Sequence, residues 1–528
     1  MYFNDTEVFR TSTAEPTLAG IQWTYIKEMT EYMYFWKRSQ RLIFDLGNIQ
    51  DSTYTGAFNV TLTATFLSSS TSDKDPADMI IPISARLGSQ HKASVFMLPS
   101  VNASNTITLP RNVNRAIFSI SACGQAAEEF WWSNTLSGDI STFPDTTLYG
   151  YSPFREVSVL IDGYLAGVQW PFPVIFTGGV VPGLWRPLVG IDAFDLRERE
   201  IDITPFLGYL CDGKPHTFEM RVAGIADDST LTITVGASWY LTGKIFLWLD
   251  DESSITTGSL PTVSTPSPTI SISHATSQNT TGSNETLTET TAVNRNITIS
   301  STLQTQHHNF TSSWSQSLSY TNKAQITAYG QISINEFMSS GIDTSSGLTP
   351  YESSYEYPLY CNQSYIILPN TNNSNFTLSA VVNRGLSLKT KGSLVSSNGA
   401  ETFANRNGIS SLSASQLSDM VLVTTQNGSA TYISYDTASG GTVSFGSTSQ
   451  RFRFEADGGG VELYTRDVEA VNGSVVYDKQ VLMGAEGIGY VGLQSDEVAM
   501  MGTPESLKAL TGKGEGSSQV VLIQADGV

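Results

Sequence analysis

The sequence predicts an all-β protein of several domains, because of its length, its hydrophobic period and its turn signals. A chain of 528 residues is too long for a single hydrophobic core. Apolar residues recur at every second position, which is the period of a strand with one buried face. Gly, Ser and Asp-Gly turn signals separate these runs. The clearest alternating runs are residues 58–66, 157–161, 218–222, 231–235 and 244–249.

One stretch near the N-terminus departs from this period. Its apolar residues follow one another at steps of three or four: Trp23, Ile26, Met29, Met33 and Trp36. This spacing places them on one face of a helix. The sequence therefore predicts one short helix between residues 23 and 36.

Composition divides the chain into five parts. Residues 1–78 and 79–252 carry the alternating runs of the N-terminal half. Residues 253–296 are rich in Ser, Thr and Pro, which predicts an extended, O-glycosylated linker, with cleavage there giving two associated chains. Alternation returns in residues 297–480 and predicts a C-terminal β-rich domain. Residues 481–528 fit no pattern and stay unassigned.

Charge and motif content exclude several functions. The 49 acidic and 29 basic residues give a net charge of −20, which argues against nucleic-acid binding. Cys123, Cys211 and Cys361 are odd in number and widely spaced, so they predict no disulfide scaffold. Zinc-protease, P-loop and dinucleotide-binding motifs are absent from the sequence, so no metal or cofactor is expected. No run of about 18 apolar residues predicts membrane insertion.

Asn-x-Ser/Thr sequons predict a secreted or vacuolar glycoprotein. The sequence has them at Asn4, Asn59, Asn102, Asn279, Asn284, Asn296, Asn309, Asn362, Asn372, Asn375, Asn427 and Asn472. The first ten residues contain neither a basic nor an apolar segment. We therefore expect a signal peptide upstream of Met1.

The segment A-E-E-F-W-W-S-N contains the first candidate catalytic groups. Glu128 and Glu129 precede Phe130, Trp131 and Trp132. A carboxyl group among aromatic rings is partly desolvated, which raises its pKa toward values suited to a general acid. The alternative is a strand end whose tryptophans pack in the core while the acids stay solvated. In the next segment, P-F-R-E-V, Arg155 and Glu156 predict an ordinary ion pair at the start of a strand.

Two further segments contain candidate binding residues. In the irregular loop 170–188, Trp185 offers an apolar plate beside the Arg186 cation, a pair suited to a sugar ring. The alternative is a tryptophan that fixes the loop onto the core. In the polar segment 5–17, Arg10 lies among Asp5, Glu7 and Glu15, either as a binding group or as a charge on a solvated face.

These segments resemble the peptide:N-glycanase A (glycoamidase A) family of plants and fungi. The resemblance rests on D-T-E-V-F-R-T-S-T-A-E-P-T, E-E-F-W-W-S-N, P-F-R-E-V and P-G-L-W-R-P, and spans residues 1–250. It implies two packed jelly-roll sandwiches, the first incomplete, followed by the C-terminal β-rich domain. It also implies hydrolysis of the amide between Asn and the innermost GlcNAc of N-glycosylated peptides or proteins, which gives Asp and a glycosylamine.

The resemblance assigns roles to the candidate residues. It implies Glu129 as the catalytic carboxylate with Glu128 beside it, and Trp185, Arg186, Trp132 and Arg10 as substrate-binding residues. It also implies a further catalytic Asp upstream of Met1. Because that Asp lies outside the chain, a catalytically inactive glycan-binding or cell-wall protein is the main alternative. A glycosidase that uses Glu129 and Asp162 is a third hypothesis.

Overall fold

The computed structural model shows an all-β protein, as the sequence predicts. It describes residues 1–13, 25, 27–47, 51–52, 55–67, 75–367, 375–395, 418–434, 441–482 and 525–526. Within these ranges the chain forms a small N-terminal sheet, two facing sheets between residues 79 and 249, and one twelve-stranded sheet. We call the two facing sheets the sandwich and the twelve-stranded sheet the large sheet.

The N-terminal region contains little regular structure. Its small sheet consists of Tyr2–Phe3 (β1), Thr6–Glu7 (β2) and Leu42–Ile43 (β3). A 3-10 turn at Thr30–Tyr32 leads into the one-turn helix Met33–Trp36 (α1). The predicted helix is therefore shorter than its hydrophobic period suggests, and Trp23 and Ile26 lie outside the described residues.

The strand predicted at residues 58–66 is wrong for most of its length. Residues 55–65 have no strand pairing, and Val60 and Leu62 are exposed. Only Phe66–Leu67 (β4) is paired, in parallel with Ala525–Asp526. Alternation alone does not make a strand, because each strand needs a neighbour for its backbone hydrogen bonds.

The sandwich consists of two antiparallel five-stranded sheets. Its strands are Met79–Ile83 (β5), Phe96–Leu98 (β6), Ala103–Ile107 (β7), Val113–Gly124 (β8), Glu156–Ile161 (β9), Tyr164–Gln169 (β10), Arg199–Asp202 (β11), His216–Ile225 (β12), Leu231–Thr232 (β13) and Trp239–Leu249 (β14). One sheet has the order β11-β8-β14-β5, with β6 also on β14. The other has the order β10-β9-β12-β13, with β7 also on β12. The helix Leu207–Leu210 (α2) follows β11.

The alternating side chains of both sheets meet in one core. Phe118 of β8 stacks on Phe218 of β12, with ring centroids 6.5 Å apart. Gly243 of β14 faces this pair, and a Cβ there would lie 2.6 Å from the Phe118 ring. Burial of such apolar faces is the main force that holds two sheets together.

The large sheet is an antiparallel meander in which most strands pair with the next strand in sequence. Its strands are Thr257–Gly258 (β15), Thr262–Ser264 (β16), Thr269–Gln278 (β17), Asn284–Gln304 (β18), Asn309–Thr327 (β19), Ile332–Ser346 (β20), Tyr351–Ile367 (β21), Phe376–Gly392 (β22), Met420–Ser434 (β23), Thr442–Ala456 (β24), Val461–Val471 (β25) and Ser474–Leu482 (β26). Strands β15, β16 and β17 all pair with β18.

The linker predicted at residues 253–296 is not a linker in this structure. Most of these residues belong to β15–β17 and to the first half of β18. Thr favours strands, and apolar residues such as Leu287 and Val293 are buried at alternate positions among the Ser and Thr residues. Cleavage into two associated chains is predicted for an extended linker, and the structure shows strands in most of that segment instead.

One face of the large sheet packs on the sandwich through apolar side chains and paired polar groups. Asn322 donates a hydrogen bond to the Trp132 carbonyl at 2.8 Å, and Gln316 donates one to the Val168 carbonyl at 2.9 Å. Glu156 and Arg295 form a buried ion pair across this interface at 2.5 Å. Buried polar groups are costly unless they are paired, so these contacts fix how the two parts join.

Trp185 fixes the irregular loop that precedes β11 onto the large sheet. Its indole is 1% exposed. A Cβ on Gly428 of β23 would lie 2.9 Å from the indole ring, and the Arg384 guanidinium of β22 lies 5.5 Å from the ring centroid. The structure thus shows the alternative in which this tryptophan packs the loop onto the core.

We expect Trp185→Ala to lower the free energy of unfolding by about 3–5 kcal/mol, because the change removes a large buried ring. Denaturant unfolding measures this loss. The exposed ring of Tyr164 supplies the control, and Tyr164→Ala should change stability by less than about 0.5 kcal/mol. Equal stability of both variants would contradict the buried position of Trp185.

A carboxyl pair at the same interface makes stability depend on pH. Burial, with a further contribution from the neighbouring Asp139, raises the pKa of Glu289 to about 8. Asp139 also contacts His274 at 2.7 Å, and Asp227 adds negative charge nearby. The folded protein therefore keeps a proton on Glu289 that the unfolded chain loses near the ordinary pKa. Unfolding free energy should fall as pH rises from about 4.5 to about 8.

Glu289→Gln tests this dependence, because the amide donates a hydrogen bond without titrating. We expect the variant to lose less stability than the unmodified protein between pH 5 and pH 8. Melting temperatures at both pH values measure the difference. Identical pH slopes would show that Glu289 does not carry this proton.

Candidate functional site

The candidate site lies where β8 ends. After Gly124 the chain forms a 3-10 turn at Ala126–Glu128 and a second one at Trp131–Ser133. In a turn of this kind adjacent side chains diverge, so Glu128 and Glu129 have different surroundings. Glu128 is fully enclosed, whereas Glu129 is half-buried.

Glu128 is held by four hydrogen-bond donors. Arg155 forms a two-pronged pair with it, at 2.5 Å through Nε and 2.6 Å through Nη2. The Gly236 backbone N–H donates at 2.9 Å and Trp239 Nε1 donates at 2.7 Å. Its side chain has no exposed surface. Glu128 is thus enclosed by its own partners, and its expected catalytic role stays a prediction.

Glu129 is the carboxyl of the pair that faces solvent. Desolvation raises its pKa above the ordinary value. A carboxyl group with a raised pKa keeps its proton at mildly acidic pH and can donate it to a leaving group. This environment agrees with the raised pKa that the sequence predicts for a carboxyl group among aromatic rings.

The thiol of Cys123, at the end of β8, is within electrostatic reach of Glu129, Glu7 and Arg10. Burial raises the pKa of this thiol to about 11, and the negative charges of Glu129 and Glu7 add to the rise. Arg10 opposes it. Gln125 donates to the Cys123 sulfur at 3.0 Å. Charges from the polar N-terminal segment and from the Glu129 turn therefore act on the same end of the sheet.

Arg10 is committed to an ion pair with Glu7. Its Nε and Nη2 donate to the two Glu7 oxygens, each at 2.7 Å, and its Nη1 donates to the Tyr240 carbonyl at 2.9 Å. Burial alone would raise the pKa of Glu7, but the charge and hydrogen bonds of Arg10 outweigh it and lower that pKa to about 2. Arg10 accordingly serves as a structural cation joining the N-terminal segment to β14.

Neither tryptophan predicted to bind substrate presents a ring face to solvent. Trp132 is fully buried, and its ring centroid lies 6.1 Å from that of Phe130. Trp185 is buried against the large sheet, as described above. Both differ from the expected sugar-binding role because a large ring gains most from the core that the docked sheet creates. Arg186 is half-buried, and desolvation lowers its pKa.

The irregular loop passes beside the Glu129 turn. A Cβ on Gly179 would lie 3.1 Å from the Phe130 ring, so the loop backbone packs closely on that ring. The sequence singled out this loop and this turn separately, and the structure brings them together. The structure also places Gly179 and Gly236 at the candidate site. Nothing in the sequence beyond their residue type marks these two positions.

The ion pair predicted within P-F-R-E-V is wrong. Arg155 pairs with Glu128, whereas Glu156 pairs with Arg295. Consecutive residues entering a strand point to opposite faces, so they cannot share a contact. Both true partners are distant in sequence, and no local pattern identifies them.

Asp162 lies far from Glu129. It occupies the turn after β9, where it accepts hydrogen bonds from the Thr217 backbone N–H at 2.7 Å and from Tyr209 at 2.8 Å. Arg155, which holds the Glu129 turn, precedes the other end of β9. A six-residue strand spans about 20 Å. The two carboxyls are therefore too far apart for a glycosidase pair, which needs at most about 9.5 Å.

Two features are absent from the residues that the structure describes. No group of three or more His, Cys, Asp or Glu side chains in these ranges is arranged to hold a metal ion. Among the same residues, no helix has the length and apolarity needed to cross a membrane.

Comparisons with known proteins match two parts of the chain to family models. The family model described as peptide N-acetyl-beta-D-glucosaminyl asparaginase amidase A matches residues 1–266, and a model of the PNGase A C-terminal domain matches residues 288–359. The peptide-N4-(N-acetyl-beta-glucosaminyl)asparagine amidase A of Prunus dulcis is 37% identical over 276 residues.

That alignment covers 49% of this chain and 46% of the almond protein, so the chain matches less than half of its relative's length. No solved structure matches the chain significantly. The first family model spans half of the chain, including the Glu129 turn and the loop beside it. The chain therefore belongs to the peptide N-acetyl-beta-D-glucosaminyl asparaginase amidase A family.

Proposed function

We propose that the protein hydrolyses the amide bond between an asparagine side chain and the innermost GlcNAc of an N-glycan. The observation that carries the proposal is Glu129, a half-buried carboxyl with a raised pKa on a rigid turn beside an irregular loop. Membership of the family and the activity named for the almond relative support it. The substrates are N-glycosylated peptides or proteins.

The proposed reaction consumes one water molecule at the amide. The water oxygen bonds to the amide carbon, and the bond between that carbon and nitrogen breaks. Glu129 donates its proton to the departing nitrogen, because an amide nitrogen leaves poorly until it is protonated. One proton of the attacking water then returns to Glu129, and the other stays on the new carboxyl group until it ionises. The products are an aspartate side chain and a glycosylamine. A second water molecule then hydrolyses the glycosylamine to the free sugar and ammonia.

Half-burial suits Glu129 to this role. A fully exposed carboxyl would lose its proton at mildly acidic pH, whereas a fully enclosed one, such as Glu128, would not reach the amide. Arg186, in the neighbouring loop, stays the predicted contact for the sugar. The proposal does not need Trp185 or Trp132 as stacking platforms.

We also propose a secreted or vacuolar location. The sequon asparagines support it, because those at Asn59, Asn102, Asn296, Asn309 and Asn427 are exposed. In the large sheet they lie on the face opposite the sandwich, where a glycan causes no clash. Intact mass spectrometry of the protein from its native source would reveal glycans at these sites. An unmodified mass would contradict this location.

We expect Glu129→Gln to lower kcat by about 10²–10⁴, because the amide cannot supply a proton. The assay incubates the protein with an Asn-glycopeptide and detects the aspartate peptide by mass spectrometry. Activity of the unmodified protein should fall as pH rises through the raised pKa of Glu129. The half-buried Glu219, which pairs with Arg221 on β12, provides the matched control, and Glu219→Gln should leave turnover unchanged.

Two outcomes would contradict the proposal in different ways. Unchanged turnover in Glu129→Gln removes Glu129 from the mechanism but leaves the activity. No aspartate from the unmodified protein removes the activity itself. Retained binding of chitobiose in that case would identify an inactive glycan-binding protein.

A further inference from the structure

We propose that Glu128 is a positioning residue, whose enclosed pair with Arg155 holds the turn so that Glu129 meets the substrate partly shielded from water. This inference rests on the proposed function, because it concerns the same carboxyl. It assigns to Glu128 a role that acts through Glu129 and involves no contact with the glycan.

The contacts of Glu128 join both sheets of the sandwich beneath the turn. Arg155 directly precedes β9 of one sheet, whereas Trp239 is the first residue of β14 in the other. Gly236 lies in the loop that leads into β14. One side chain thus connects the Glu129 turn to three separate segments. A charge-assisted, two-pronged pair of this kind fixes orientation as well as distance.

The surroundings leave no room for Glu128 to move. A Cβ on Gly236 would lie 2.6 Å from Glu128 Oε1, and a Cβ on Gly124 would overlap the Glu128 carbonyl oxygen. The Arg155 guanidinium is itself fixed, since its Nη1 donates to the carbonyls of Tyr151 at 2.7 Å and Phe154 at 2.6 Å. Both partners of the pair are therefore locked.

A fixed Glu128 determines the place of Glu129. Consecutive Cα atoms are about 3.8 Å apart, so any shift of one is passed to the next. The turn adds a hydrogen bond from the Glu129 N–H to the Ala126 carbonyl at 3.1 Å. A displacement of about 1 Å at a reacting group can lower a rate by about 10²-fold. Release of the turn would also expose Glu129 to water and lower its pKa toward the ordinary value.

The structure contains a second buried glutamate that serves as a matched control. Glu156 is enclosed like Glu128, pairs with Arg295 at 2.5 Å and accepts a hydrogen bond from Trp170 Nε1 at 3.0 Å. Both carboxyls thus have one arginine and one indole as partners. Only Glu128 belongs to the turn that carries Glu129.

The experiment compares Glu128→Gln with Glu156→Gln in the full chain. We expect Glu128→Gln to lower kcat by about 30-fold or more with KM changed less than about two-fold. The high-pH decline of its kcat should move to lower pH. Both variants should lower the melting temperature by similar amounts, because each breaks a buried ion pair. Glu156→Gln should nevertheless keep kcat within about three-fold of the unmodified protein. An equal kcat loss in both variants, or an unmoved pH profile, would show a purely structural role for Glu128.

A second variant and a second measurement keep the test decisive. If Glu128→Gln does not fold, Gly236→Ala displaces the same carboxyl without removing a charge, and the same kinetic changes are expected. If the unmodified protein has no amidase activity, labelling of Glu129 by carbodiimide and glycine ethyl ester reports its titration. The pH midpoint of labelling should fall in Gly236→Ala but not in Glu156→Gln. An unchanged midpoint overturns the inference independently of the proposed function.

Discussion

The structure depends on the burial of one face of the large sheet. Twelve strands side by side present two broad faces, and only the one against the sandwich carries the buried alternate residues. Polar groups on that face need partners once water leaves. Gln426 meets this need by pairing with the backbone of Val189 and Ile191, which gives the irregular loop a fixed path. The loop beside Glu129 is therefore held by a part of the chain far from it in sequence.

Hydrophobic period was enough to predict the fold class but not the role of every segment. Residues 157–161 and 244–249 became strands because apolar partners meet their alternate side chains. The Ser, Thr and Pro content of residues 253–296 predicts an extended linker, but buried Leu287 and Val293 show strand alternation there. Residues 58–65 show the converse, since the same period without strand pairing stays outside any sheet.

The candidate site shows where sequence reasoning stops. The segment A-E-E-F-W-W predicts a carboxyl with a raised pKa, and Glu129 has that environment. Which of two adjacent acids faces solvent depends on the 3-10 turn and on Arg155, a partner 27 residues away. Trp185 illustrates the same limit, because an aromatic residue in a loop suits either a ligand or a docking surface. The burial of Trp185 against Gly428 and Arg384 decides between them.

The order in which strands pair has a consequence for how the chain folds. In the large sheet, each strand from β18 to β25 pairs with the next, and most of these hairpins close over a short connection, the exception being β22 and β23, which residues 393–419 separate. The central strands of the sandwich instead join residues as distant as Ile120 and Gly243. Local pairings form faster because they close smaller loops. We therefore expect the C-terminal sheet to fold first and to offer the sandwich a preformed surface on which its own distant strands can assemble.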